Sequence, residues 1–314
     1  MHLGVDVGGN RLKAGLVDGA GRAGQVRSCT TPMTLNEFRA ALRALVEGAV
    51  AGATVATVGF GSKGIIHPET TRVERLPGAW DFLEGARLGE FIEDLMPAGI
   101  PVRGDNDAKA ALAGELAWGA ARGLRNALLL TLGSGIGGAV VCDGRMLRGA
   151  THVAGHLGHV VVDPQGLPCM CGARGCLETV FSSRAIEAEA WSVVHQGAVS
   201  PMTRAFRADP ALLDCRAIFA WAAQDDPIAR WILDRRIEML AAALAGLMHA
   251  FDPEVVILTG QIAEAGDALL DPVRKAVHWR TQGLLRREVP ITGSGLNDTS
   301  GVVGAAAVGL GAEG

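Results

Sequence analysis

The sequence predicts an α/β chain built from a duplicated unit, and three observations predict it. Short apolar, β-branched runs alternate with longer stretches whose apolar residues recur at helical spacing. Glycine is in excess, 43 of 314 residues, about twice the usual ~7%. It has no collagen period and clusters where the chain must turn. The order strand, glycine turn, strand, Asp-Gly also occurs twice. It ends first at Val17-Asp18-Gly19 and again, 125 residues on, at Cys142-Asp143-Gly144.

The elements follow in order. Leu3 to Val7 is apolar and β-branched, Gly8-Gly9-Asn10 is a turn, and Leu12 to Val17 resumes the strand before the tight turn at Asp18-Gly19. Leu35, Phe38, Leu42, Leu45 and Val46 predict an amphipathic helix over 35–50. Thr54 to Phe60 reads as a buried strand, followed by a loop at Gly61-Ser62-Lys63-Gly64. Pro101-Val102-Arg103 reads as a short strand leading into Asp105-Asn106-Asp107, and 108–119 is alanine-rich and helical. Ala127 to Leu132 is a clear buried strand that runs into Gly133-Ser134-Gly135-Ile136-Gly137-Gly138, with a further strand from Ala139 to Cys142. Helices are expected at 183–195, 217–224, 227–251 and 301–311, and a strand from Glu254 to Thr259 ahead of Gly260-Gln261.

Composition excludes several classes. Apolar residues make up 49%, charged residues 20%, and the net charge is −4, so the chain is globular and nucleic acid is not an expected partner. The start carries no basic n-region or long apolar h-region of a signal peptide. The run from Met239 to Phe251 is shorter than the ~20 residues a membrane helix needs. A cytoplasmic protein with no membrane partner is therefore expected, its six cysteines reduced. At roughly 150 residues per domain the length suggests two domains, with the boundary just after the helix at 108–119.

Gly133, Gly135 and Gly138 fit G-x-G-x-x-G after a strand, but a dinucleotide fingerprint needs a helix to begin there. The β-branched run Ala139-Val140-Val141 ending in Asp143-Gly144 argues against it. What remains is a hairpin whose glycine tip lets backbone N–H groups approach a phosphate. Asp6-Val7-Gly8-Gly9-Asn10 is a second such tip with a carboxylate beside it. Two such hairpins could clamp a triphosphate, with Asp6 orienting Mg²⁺, or they could be ordinary hairpins. Asp105, Asn106 and Asp107 are preferred N-cap types, and a carboxylate there could equally take a proton from a substrate hydroxyl. Cys169, Cys171 and Cys176 supply three thiolates, and His152, His156 and His159 are all candidates for a fourth ligand. Three Cys and one His form a closed, structural zinc set; the alternative is three unligated cysteines in a loop.

On these residues the chain resembles the ROK sugar kinases, a glucokinase-like branch of the actin-like ATPase (ribonuclease H-like) duplicated fold with two lobes around a cleft. The likeness runs essentially end to end. Asp6-Val7-Gly8-Gly9 looks like the first phosphate motif of that family, Leu132 to Gly138 like the second, and Asn106-Asp107 like its catalytic pair. Gly158-His159 and the stretch from Cys169 to Glu178 look like its zinc and sugar signature, which favours His159 as the fourth ligand. The resemblance implies ATP-dependent phosphorylation of a hexose or N-acetylhexosamine hydroxyl, usually the 6-OH, in a homo-oligomer, most simply a dimer. It implies a smaller lobe over 1–118, a larger one over 119–300, and a C-terminal helix at 301–314 packed back on the first. Asp107 would be the base. Gly64, Asn106, His156, His159 and Glu178 would meet the sugar. Asp6, Gly8, Gly9, Asn10, Arg11, Gly133, Ser134, Gly135, Gly260 and Gln261 would hold ATP with Mg²⁺, and Zn²⁺ would be structural.

Three departures stand out. Asn10 and Arg11 occupy positions where the family has Thr and Lys; Arg keeps the charge in a different geometry. Lys63 replaces a Pro. His156 stands where the family signature has a Glu that accepts sugar hydroxyls, and a neutral imidazole offers one acceptor where a carboxylate offers several. That departure carries a second expectation, a sugar-binding protein with weak or no kinase activity.

Overall fold

The computed structural model describes residues 1–76, 80–296 and 299–311. Its contacts divide the chain into two compact units. One comprises Met1–Ala127, Ala139–Gly155 and the C-terminal stretch from Ser294; the other comprises Leu128–Gly138 and His156–Gly293. No helix among the described residues is long and apolar enough to cross a membrane.

In the first unit, β1 (His2–Val7) pairs antiparallel with β2 (Arg11–Val17), which pairs with β3 (Arg27–Thr30). Helix α1 (Leu35–Val50) follows, its N-cap Thr34 accepting from Glu37 N, with Phe38, Leu42, Leu45 and Val46 buried as their spacing predicts. Strand β4 (Thr57–Ser62) lies parallel to β1. A small ribbon of β5 (Ile65–Ile66) and β6 (Val73–Arg75) precedes β7 (Val102–Asn106), parallel to β4, and α2 (Asp107–Trp118). The sheet order is β3-β2-β1-β4-β7.

Two expected boundaries move here for one reason. Gly61 and Ser62 belong to β4 and not to the following loop, and Asp105 and Asn106 belong to β7. Gly61 is paired on both sides, with Asp6 of β1 and Asp105 of β7, so neighbouring ladders keep this short polar stretch extended.

The second sheet repeats the order: β8 (Ala127–Leu132), β9 (Ile136–Cys142), β10 (Arg145–Met146), β11 (Val255–Thr259) and β12 (Ile291–Gly293) run β10-β9-β8-β11-β12. The duplication read from the two Asp-Gly turns is therefore present as two sheets of one topology. Strand β9 starts at Ile136, three residues earlier than the β-branched run suggests. Between β10 and β11 lie α3 (Leu177–Phe181), α4 (Ser183–His195), α5 (Pro201–Ala208), α6 (Cys215–Ala222) and α7 (Pro227–Phe251); α8 (Asp267–Thr281) precedes β12.

The last helix, α9 (Ser300–Leu310), is made of small apolar residues and packs on β1, β4 and α2 in the first unit. Residues 312–314 of the expected C-terminal helix lie outside the described residues. The approach is backbone to backbone. A β-carbon at Gly59 would stand 1.7 Å from Ala305 O, and one at Gly4 1.9 Å from Val302 O. Part of the glycine surplus is thus spent on contact between helix and sheet, a use of glycine that turn signals do not reveal.

Candidate active site

In the first unit the candidate residues gather at the C-terminal ends of the parallel strands. The β1–β2 hairpin is tied by Gly8 N donating to Arg11 O at 3.1 Å, and Thr31 Oγ1 donates to Gly8 O at 2.8 Å while Thr31 N donates to Asn10 O at 3.1 Å. Gly9 and Asn10 stay exposed at the tip. Arg11 reaches Ser28 Oγ at 2.5 Å, so the arginine that departs from the family pattern leans onto β3.

Asp6 is the penultimate residue of β1, two positions before Gly8. Lys13 Nζ stands 3.8 Å from its Oδ2. A β-carbon at Gly301 would lie 2.4 Å from the same oxygen, so the first turn of α9 crowds the carboxylate. Burial pushes the Asp6 carboxyl up from its ordinary 3.8 to about 6; Lys13 opposes this and the neighbouring charge of Asp107 adds to it. The Asp107 carboxylate therefore stands close enough to Asp6 for the two charges to repel.

The sign of that shift makes a testable statement. The native state holds the Asp6 proton between about pH 4 and pH 6, where the unfolded chain has released it, so this group lowers stability as pH rises through that window. At neutral pH the cost is about 3 kcal/mol. Asp6→Asn is therefore expected to raise the unfolding midpoint of the metal-free protein at pH 7 and leave it little changed at pH 4. Calorimetry at the two pH values checks this; an equal gain at both would show that the charge is not the cause.

Asn106, Asp107 and Gly64 also come together. Asn106 is the N-cap of α2, its Oδ1 accepting from Ala108 N at 3.0 Å, and its Nδ2 donates to Gly64 O at 2.9 Å. Gly64 sits at φ 86°, and a β-carbon there would strike Arg75 O at 2.3 Å. Asp105 is buried, with Arg148 Nε and Nη2 both on its Oδ2 at 2.9 and 2.8 Å. The cap role falls to Asn106 and the ion pair to Asp105, while Asp107 stands exposed at the first position of α2, its Oδ1 accepting from Ala108 N at 2.9 Å.

In the second unit, Gly133 N donates to Gly135 O at 3.0 Å and Ser183 N to Gly133 O at 2.8 Å, so the glycine tip rests on the start of α4. Ser134 is exposed. Glu178 Oε2 accepts from Ile136 N at 2.8 Å, and a β-carbon at Gly135 would come within 2.6 Å of that oxygen. Gly260, at φ 89°, is pressed against Leu132, whose backbone oxygen would lie 2.7 Å from a β-carbon. The fold thereby brings Gly260-Gln261 beside the 133–135 tip. Gln261 borders a cavity of about 210 Å³ that Cys215, Phe219, Ile262, Ala265 and Ala268 also line. Sequence reasoning missed this apolar wall, because α6 carries no motif.

His159, Cys169, Cys171 and Cys176 present four ligand atoms within 4.8 Å of one another. His159 Nδ1 is 3.4 Å from Cys169 Sγ, and Cys171 Sγ is 3.6 Å from Cys176 Sγ. A zinc tetrahedron with ~2.3 Å Zn–S bonds has edges of roughly 3.8 Å, so the donor set fits that ion in number, type and spacing. A turn makes the knot, with Cys169 N donating to Ala173 O and Gly172 N to Cys169 O. Gly172 and Gly175 take φ 93° and 65°. Of the three candidate histidines, His159 joins the thiols. His156 stands with its ring nearly parallel to that of His159, centroids 6.4 Å apart. His152 belongs to the first unit.

A phosphate-type glycine hairpin in each of two sheets of the same topology defines the fold as that of the actin-like ATPases. The profile of the ROK family matches residues 2–311, and the chain belongs to that family. It is 35% identical to the glucokinase of Thermotoga maritima, over 98% of this chain and 96% of that protein. It is 33% identical to the N-acetylmannosamine kinase of Citrobacter koseri, over 97% of each. Among solved structures it is similar to the ROK family glucokinase from Streptomyces griseus in complex with glucose and AMPPNP, at 32% identity, TM-score 0.83 and 99% coverage of both chains.

Proposed function

We propose that this protein is an ATP-dependent sugar kinase that moves the γ-phosphoryl group to a hydroxyl, the 6-OH in the first instance, of a hexose or N-acetylhexosamine. The observation that carries the reading is the group at the strand ends of the first unit. There Asn106 caps α2 and the Asp107 carboxylate stands exposed, its charge acting on the half-buried Asp6. The relatives named glucokinase and N-acetylmannosamine kinase support the substrate class.

Asp107 accepts the proton of the sugar hydroxyl as its oxygen attacks the γ-phosphorus, and the bond from the γ-phosphorus to ADP breaks. Asn106 and the Gly64 carbonyl, joined by a hydrogen bond, fix the approach of the sugar to this base. His156, His159 and Glu178 are sugar contacts on the second unit. Backbone N–H groups at Gly8, Gly9, Asn10, Gly133, Ser134 and Gly135 take phosphate oxygens, Arg11 adds charge, and the cavity beside Gly260 and Gln261 takes the adenosine. Mg²⁺, when bound near Asp6, neutralises charge on the phosphates. His159, Cys169, Cys171 and Cys176 would hold zinc, which would order the segment that carries Glu178.

A second reading, sugar binding without efficient transfer, draws on His156, whose imidazole stacks on His159 and lacks a carboxylate's acceptor capacity. One experiment separates the two. ADP release is followed over a panel of hexoses, amino sugars and N-acetyl sugars, with binding measured calorimetrically for each. Sugar-dependent ADP release from at least one member is expected. Binding without turnover across the whole panel would favour the second reading, and neither binding nor turnover would overturn both.

A further inference from the structure

Lys109 is the third residue of α2 and is 1% exposed. Nothing in the chemistry above uses it, and its placement is unfavourable on two counts. A buried ammonium loses its hydration, and a cation in the first turn of a helix faces the positive end of the helix dipole. Its Nζ donates to the backbone oxygen of His152 at 2.7 Å.

His152 has a conformation of its own to explain. Its φ is 62°, the left-handed region that bulky side chains rarely adopt. Its Nδ1 is buried without a hydrogen-bond partner, and its ring meets that of His67 edge-on, centroids 5.0 Å apart. The residue lies in a compact turn closed by Ala154 N donating to Arg148 O at 3.0 Å, with Gly149 at φ 73°. The turn is pinned to the start of α2 at two points, the Arg148–Asp105 ion pair and the Lys109–His152 bond. Its chain continues through Gly155 directly into His156 and the zinc segment.

A left-handed histidine whose carbonyl is held by a buried ammonium is a strained turn with its own latch. We propose that Lys109 is a positioning residue for sugar recognition: by holding the His152 carbonyl it fixes the 148–155 turn against the helix that begins with Asp107. The inference rests on the sugar-kinase reading. It also carries a charge argument. Asp105 attracts both Arg148 and Lys109, so removing the Lys109 charge still leaves the Arg148–Asp105 pair in place, and Met keeps the length of the apolar stem.

The test is a double-mutant cycle of Lys109→Met and His152→Gly, because glycine adopts φ near +60° without strain. Lys109→Met is expected to raise the KM for the sugar about tenfold or more while the KM for ATP stays within about twofold. Adding His152→Gly is expected to bring the sugar KM back to within about threefold of the parent. A sugar KM unchanged in Lys109→Met, or a double variant no better than the single, overturns the proposal. Should Lys109→Met alone fail to fold, the double variant is compared with His152→Gly: equal sugar KM values support the latch, and a tenfold gap overturns it. The same cycle read as unfolding midpoints needs no substrate. A wild-type protein that phosphorylates no sugar therefore counts against the proposed function, whereas additive midpoints count against the latch.

Discussion

Asp107→Asn is expected to lower kcat by about 10²–10⁴-fold while the dissociation constants for sugar and nucleotide remain within a few-fold of the parent. The amide is nearly isosteric with the carboxylate, and its oxygen can keep the 2.9 Å bond that Asp107 Oδ1 accepts from Ala108 N. The start of α2 therefore persists, and Asn106 still caps it. What is lost is the capacity to accept a proton. Steady-state turnover and calorimetric binding on one preparation decide the matter, and turnover near that of the parent would remove Asp107 as the base. The loss of a like charge beside Asp6 gives a second readout, because the Asp6 carboxyl should titrate lower in this variant.

Removing Cys176, proposed above as a zinc ligand, is the second large effect expected. Cys176 is fully buried, is the N-cap position of α3, and stands two residues before Glu178. Its Sγ is part of the His159, Cys169, Cys171 and Cys176 group, and structural zinc in such a set carries binding energy on the order of 10 kcal/mol. Few apolar side chains of the knot are buried, while Leu167 and Met170 are 68% and 69% exposed. Without an ion the segment has little to offset the entropy of ordering its glycines. Cys176→Ala is expected to abolish the one bound zinc read by elemental analysis and to lower the unfolding midpoint by roughly 10 °C. It should also weaken sugar binding at least about tenfold, because the Glu178–Ile136 bond depends on how α3 is hung. Full zinc content, or a zinc-free protein with unchanged sugar affinity, would sink the assignment.

The legible elements share one property. Helix α1, strand β8 and helices α4 and α7 span the residues expected of them, because each carries a buried stripe or run long enough for periodicity to speak. Strand β3, Arg27–Thr30, is short, polar and at a sheet edge, so nothing in its composition marks it. Helix α8 was hidden by its charged face and by Pro272 inside it. Helix α3 has five residues, and it forms where the cysteine knot ends.

The candidate site divides in the same way. The glycine tips, the Asn106-Asp107 pair and the cysteine spacing are local patterns, read within a dozen residues. The apolar wall on α6 and the buried Lys109 have no local signature, since each acquires its meaning from a residue more than forty positions away.

By itself the sequence determined which chemistry the chain carries: two glycine hairpins, one Asn-Asp pair, one thiol knot, and an α/β plan written twice. Only the tertiary structure decided which of the two carboxylates Asp105 and Asp107 stays exposed, why burial pushes the Asp6 carboxyl up to about 6, and which carbonyl takes the Lys109 ammonium. Turn and ligand types depend on the side chain and its immediate neighbours. Burial and charge environment depend on which distant segments fold over it, as α9 does over Gly4 and Gly59, and that sum is not contained in any single stretch of the chain.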